Sequence, residues 1–369
     1  MLSKIKNIAV IAVFFLTVGT LSILGVTNKP EAVSDTERRP LAQLPEFSLQ
    51  ELMNGRYFSR LETYTVDQYP FRDWFRRLKA FANAEIFKRG DNNGYYQSEG
   101  YLAKLDYPLN EASIAHAAER MQYIYDSYLK DGEHNVIFSV IPDKNYFLAQ
   151  KNGYPFMDYD ALVEQLRDRL DEDMTYVDIF DALRIEDYYK TDTHWRQECL
   201  GEVVNRLADA LGVSDKLPGE YTARERYPFY GVYSGQSALS SQPETLRYLT
   251  NAALDNCIVY NAETGDTGGI YDLDRFEGQD AYEIFLSGSQ AVLTIDNPAN
   301  TSGDCLVVFR DSFGSSLTPL LVEAYSQVVV VDIRYVSSRY LDRFISLSGE
   351  EDVLFLYSTL VLNSSAALK

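Results

Sequence analysis

Two short stretches carry residue types that could do nucleophilic chemistry. The first is Asp192-Thr193-His194-Trp195, which follows Tyr188-Tyr189-Lys190-Thr191 and opens a helical pattern from Arg196. A carboxylate two residues before a histidine can accept from an imidazole N–H, fix the tautomer and stabilise the imidazolium. His194 is one of three histidines. His116 falls inside a helical pattern and His134 in a polar turn, and neither neighbours a partner. The second stretch is Arg310-Asp311-Ser312-Phe313-Gly314. Ser312 falls between an apolar strand ending at Phe309 and a helix beginning near Ser315. Amide N–H groups and the dipole at such a helix start can hold an oxyanion. Gly314 lets the backbone approach a ligand closely. Each stretch also has a plainer reading: a structural histidine behind an N-capping Asp192, and capping roles for Asp311, Ser312 and Ser315. Taken together they supply a nucleophile, a base and an orienting carboxylate, in the chain order Asp, His, Ser.

The elements around them must set these groups at one place. Asn110 to Leu129 has Ile114, Ala117, Met121 and Ile124 at helical spacing. From Asn135 the pattern alternates. Apolar strands are expected at 135–141, 174–179, 305–309, 328–333 and 353–357, and helices at 160–170, 196–211, 317–325 and 340–347. Short apolar strands without a polar face imply a parallel sheet covered by helices on both sides, with sites beyond the C-terminal strand ends. Tyr95 to Leu105 reads as a short hairpin around Ser98-Glu99-Gly100. The stretch at about 213–304 breaks the rhythm. It is rich in Tyr, Gly, Ser and Asp and reads as a β-rich insertion, whose Tyr221, Tyr227, Tyr230, Tyr233 and Tyr248 could stack on sugar rings.

The N-terminus sets the compartment. Ile8 to Val26 is free of charge for 19 residues after Lys4 and Lys6. That is enough to span a bilayer, and no convincing cleavage site follows. The expectation is a signal anchor at 1–27, or a signal peptide if cleaved. A tether follows at 28–46, and the main domain occupies 47–369 outside the cytoplasm. The chain has 369 residues and a net charge of −20, leaving about −22 on the exported part. Such a charge excludes nucleic acid as a partner. Cys199, Cys257 and Cys305 are too few and too scattered for a disulfide framework or a zinc site, and are expected as small buried residues. No metal or cofactor is called for.

The two stretches, with Glu37-Arg38-Arg39-Pro40-Leu41, Asp67-Gln68-Tyr69-Pro70-Phe71-Arg72, Pro142-Asp143-Lys144 and Asp332-Ile333-Arg334-Tyr335, resemble the DHHW family of exported bacterial proteins. They also resemble the alginate O-acetyltransferases, whose domains are SGNH-hydrolase-like. The resemblance runs from Glu37 to about Tyr357. It implies an α/β, SGNH-hydrolase-like fold and acyl transfer, usually of acetyl, onto hydroxyls of an exported polysaccharide. The matched positions imply Ser312 as nucleophile, His194 as base and Asp192 as its orienter. An exported transferase would need a membrane-bound partner protein to deliver acyl groups. Thr193 replaces the first histidine of the DHHW signature, which keeps the Asp–His pair. The glycine and asparagine of an SGNH oxyanion hole have no counterpart that the sequence identifies. Arg334 and Tyr357, near successive strand ends, are candidates for that role, with a surface ion pair and a core tyrosine as their plainer readings.

Other readings of the same residues remain. Water in place of a sugar hydroxyl would make a carbohydrate esterase. A non-catalytic polysaccharide-binding or assembly protein could use the tyrosine-rich insertion alone. A metal hydrolase lacks a spaced ligand cluster, and a glycosidase lacks a singled-out carboxylate pair.

Overall fold

The computed structural model describes residues 2–217, 219–347 and 349–369. They form two compact units, one of residues 1–92 with 235–240 and one of 93–234 with 241–369. The α/β unit thus begins later than the expected 47, and the helices before it belong to the first unit.

The first unit opens with α1 (Leu2–Thr27). From Lys4 onward this helix is long and apolar enough to cross a membrane, and none of that segment is buried. Two short strands follow, β1 (Val33–Ser34) and β2 (Arg39–Pro40), paired antiparallel. Then come α2 (Leu49–Met53), α3 (Arg56–Asp67) and α4 (Arg72–Phe81). The stretch expected as a tether is fastened to these helices. Arg39 donates to both oxygens of Asp67 at 2.6 and 2.9 Å, and the Ala42 amide donates to the same carboxylate at 2.9 Å. The Arg39 hydrogen bond holds the Asp67 carboxyl down at about 2.

The second unit holds a hairpin of β3 (Tyr95–Ser98) and β4 (Tyr101–Lys104) where the sequence pattern places one. Its strands continue as β5 (Asn135–Ile141), β6 (Thr175–Tyr176), β7 (Thr222–Phe229), β8 (Glu244–Thr250), β9 (Ile258–Asn261), β10 (Thr267–Gly268), β11 (Val292–Asp296), β12 (Cys305–Arg310), β13 (Gln327–Val331) and β14 (Asp352–Ser358). Eight of them form one sheet in the order β10-β9-β11-β13-β12-β14-β5-β6. The run from β13 to β6 is parallel. Period-two alternation sends Leu306, Val308, Leu354 and Leu356 to one buried face and Val307, Phe309, Val353 and Phe355 to the other. Helix α5 (Glu111–Ile124), α6 (Lys144–Asn152), α7 (Tyr159–Arg167) and α8 (Gly201–Leu211) complete the unit. Helices α5 and α7 contribute to the core on the Phe309 face, and α8 to that on the Leu306 face.

Within the β-rich insertion, β9, β10 and β11 extend the main sheet antiparallel from β13, while β7 and β8 pair with each other. Other elements differ from the expectation. The helix expected at 340–347 is a 3-10 stretch at Ser338–Arg343. The helix expected at 317–325 is only the turn Gly314–Leu317, followed by 3-10 turns at Thr318–Leu320 and Val322–Ala324. Pro319 lacks the amide that would continue an α-helix there. Helix α6, absent from the sequence reading, is capped by Asp143, whose carboxylate accepts from the amides of Asn145 and Tyr146 at 2.6 and 3.2 Å.

Candidate active site

Strand β12 ends at Arg310, and the next residue fixes the turn. One Asp311 oxygen accepts from the Ser358 amide at 2.8 Å and the Ser358 hydroxyl at 2.6 Å, which ties the turn to the end of the adjacent β14. The other accepts from the Phe313 amide at 3.0 Å. Gly314 must be glycine, because a Cβ there would lie 2.6 Å from the Cβ of Arg310. The Gly314 and Ser315 amides bond back to the carbonyls of Asp311 and Ser312. Among the described residues the Ser312 amide has no such acceptor, so it is available to an oxyanion. The helix that follows is four residues long, so this amide rather than an extended dipole is what the turn offers.

The second loop reaches Ser312 from the other side. Asp192 is fully buried and His194 is 5% exposed, whereas Ser312 is half-buried. One Asp192 oxygen accepts from the His194 amide at 3.0 Å and lies 2.6 Å from His194 Nδ1. The other accepts from the Val232 amide at 2.8 Å. With the Nδ1 proton held there, Nε2 carries the lone pair, and it lies 2.8 Å from Ser312 Oγ. The three side chains named from the sequence therefore form a continuous hydrogen-bonded line.

Residues to which the sequence assigned no role hold that line. Tyr282 stacks flat on the His194 ring at 3.8 Å and 4°. Its hydroxyl donates to Ser316 Oγ at 2.7 Å, which also accepts from Trp195 Nε1 at 3.0 Å. Ser316 stands one helical turn after Ser312, a spacing that could have drawn notice. Tyr282 lies in the irregular stretch and carried no signal. Glu244 accepts from the Lys190 and Thr191 amides and the Thr191 hydroxyl at 2.6–2.7 Å, clamping the approach to the loop. Gly231 passes so close that a Cβ would lie 2.3 Å from the Asp192 backbone. Beneath the loop, Lys144 is buried. Its Nζ donates to the carbonyls of Tyr189 and Lys190 at 3.0 and 3.3 Å and sits 4.9 Å over the Tyr233 ring. Burial lowers this ammonium to about 7.

The remaining candidates stand apart from Ser312 in their hydrogen bonding. Arg334 is clasped to Asp332 through Nε at 2.9 Å and a terminal nitrogen at 2.6 Å. Its pKa is raised, the Asp332 bonds outweighing burial. Tyr357 is buried and belongs to the Phe309 face of the sheet, and its hydroxyl has no partner among the described residues. Burial raises its pKa well above the phenol range. Tyr233 is not a solvent-facing platform. It is 5% exposed, and its hydroxyl donates to Thr193 at 2.8 Å, bracing the turn between Asp192 and His194. Tyr248 is also buried, so of the five tyrosines offered as sugar platforms Tyr227 and Tyr230 are the exposed ones. All three cysteines are free, but only Cys257 is fully buried; Cys199 and Cys305 are half-buried.

The fold and site can be set beside known proteins. The model of the DHHW protein family matches residues 168–331, the segment that holds both loops. The chain is similar to a DHHW family protein from Eubacterium siraeum, with 20% identity and a TM-score of 0.62 over 75% of this chain and 94% of that one. It is similar to PatB1 from Bacillus cereus, with 18% identity and a TM-score of 0.57 over 73% and 96%. A second PatB1 structure, carrying a sulfonyl adduct, gives 17% identity and 0.56 over 73% and 95%. No curated protein matches. The resemblance to the DHHW family is thus supported by a family match over part of the chain and by the fold, and the α/β fold of the second unit is the one these structures share.

Proposed function

We propose that the chain is an exported O-acyltransferase, most simply an O-acetyltransferase, that acts on hydroxyls of a cell-envelope polysaccharide. The observation that carries this reading is the line Asp192–His194–Ser312, with spacings of 2.6 and 2.8 Å. His194 Nε2 takes the proton of Ser312 as Oγ attacks the acyl carbonyl. The tetrahedral oxyanion is met by the Ser312 amide, and Asp192 stabilises the imidazolium. Collapse breaks the bond to the donor's leaving group, which departs with the proton from Nε2, and leaves an acyl-Ser312 ester. A sugar hydroxyl then gives its proton to Nε2 and attacks the ester, and Ser312 Oγ leaves reprotonated. Arg334 and Tyr230 remain candidates for acceptor contacts, and Tyr357 for a further polar contact. Helix α1 keeps the domain at the outer membrane face, where a membrane-bound donor protein would hand over acyl groups. The test supplies an activated acetyl ester and envelope oligosaccharides to the purified chain. Acetylated oligosaccharide that is lost in Ser312→Ala supports the reading. Ester hydrolysis with no acetylated sugar makes the chain an esterase. Sugar binding without turnover makes it a binding protein.

A further inference from the structure

Helix α4 is amphipathic in the opposite sense to a core helix. Trp74, Phe75, Leu78 and Phe81 recur at spacings of three and four, so they share one face, and Phe71 precedes them at the N-cap. All five are exposed, Phe71 by 65%, Trp74 by 58% and Phe81 by 57%. Arg72 and Arg76 lie on the other side, mostly buried and ion-paired with Glu37. Arg76 also donates to the carbonyls of Gly235 and Gln236. Arg72 and Arg76 therefore point inward and the rings outward. A contiguous apolar stripe of this kind marks a docking face.

The position of α4 selects the occupant. A methyl group built on Gly25 would lie 3.7 Å from the ring of Pro70, so the last turns of α1 pack against the α3–α4 junction. Gln68 fastens the same junction to the chain leaving α1, accepting from the Glu31 amide and donating to the Glu31 carbonyl, both at 2.9 Å. The stripe therefore begins where the apolar helix ends. Residues 54–90 hold eight Lys and Arg against four Asp and Glu, in a chain of net charge −20. Arg77 and Arg89 are exposed on this segment. Aromatic rings flanked by basic side chains suit the boundary between anionic headgroups and acyl chains.

We propose that the α4 stripe inserts into the headgroup–acyl boundary of the lipid bilayer, a second membrane contact beside α1. The proposal rests on reading α1 as a membrane span. The chain has two tryptophans, and Trp195 is fully buried, so quenching from the lipid reports on Trp74. The full chain is reconstituted in phosphatidylglycerol–phosphatidylethanolamine vesicles, with and without bromine high on the acyl chains. The bromolipids should quench most of the Trp74 emission, taken as the difference from Trp74→Phe. The double variant Phe75→Asp, Leu78→Asp should lose most of that quenching. An unquenched Trp74 in a chain that resists alkaline extraction overturns the proposal and leaves the span intact. Unchanged quenching in the double variant also overturns it, because the stripe is then not what inserts. Alkaline extraction of the chain overturns the span and the proposal with it.

Discussion

His194 Nε2 lies 2.8 Å from Ser312 Oγ although 118 residues separate them in the chain. Each residue sits on a loop with its own buried carboxylate. Asp192 holds the histidine turn and Asp311 holds the serine turn, and each carboxylate also reaches a backbone amide of another segment. The geometry is therefore set twice over, by two independent Asx-type turns and the strand ends they bind.

Loss of the base or nucleophile should remove the chemistry without removing the fold. Ser312→Ala and His194→Ala are expected to lower turnover of an activated ester by about 10³-fold or more. Asp192→Asn should cost a similar factor and also about 1–3 kcal/mol of stability, because an amide N–H would then face the Val232 or His194 amide. Steady-state rates paired with denaturant melts separate the two effects. Equal activity in Asp192→Asn and the parent chain would contradict the orienting role.

Tyr282 is expected to position the imidazole through its ring. Tyr282→Phe keeps the stack and loses one hydrogen bond to Ser316, worth about 0.5–1.5 kcal/mol of stability with little change in kcat. Tyr282→Ala frees the imidazole and should lower kcat about 10–100-fold. The ranking is read from kcat in the two variants, and a Phe variant as slow as the Ala variant would point to the hydroxyl instead.

Gly231→Ala should disturb the same turn from behind. Its Cβ would lie 2.3 Å from the Asp192 backbone, so the loop has to move. A loss of about 1–3 kcal/mol is expected, with a fall in kcat larger than that of a surface Gly→Ala control such as Gly269→Ala. Thermal melts and rates on both variants check it.

Lys144 should make stability depend on alkaline pH. The folded ammonium is lowered to about 7 by burial, from an ordinary value of 10.5. Between those values the unfolded chain binds a proton that the folded chain does not. This group's contribution to stability therefore rises as pH rises through that window, by at most about 1.4 kcal/mol per pH unit. Below the window both states are charged and the desolvation cost is felt in full. Urea melts of the full chain in detergent at pH 7 and 9 test this. The parent should gain on Lys144→Met as pH rises, and parallel curves would contradict the assignment.

The sequence showed the parallel strands because burial on both faces leaves them uninterrupted apolar runs, as in Val328 to Val331. It showed Asp192 and His194 because a two-residue spacing is local. Ser312 was legible because a strand end followed by Asp-Ser-Phe-Gly marks a turn. Tyr282, Glu244 and Gly231 were not legible, since each acts through a contact distant in the sequence that no local pattern announces. The antiparallel strands β9 to β11 were hidden for a related reason. Thr294 and Asp296 interrupt β11, and β9 and β10 are short and largely exposed, so no apolar run or clean alternation marks them. The buried Tyr233 shows the opposite failure, where an aromatic residue suited to a sugar platform is used as a brace.

The most direct test of the account is the intact mass of the full chain in detergent after exposure to 4-nitrophenyl acetate, beside Ser312→Ala and His194→Ala. The account expects a gain of about 42 Da, one acetyl group, mapping to Ser312 and absent from both variants. No adduct and no nitrophenol release from the folded parent chain, or an adduct that persists in Ser312→Ala, would contradict it.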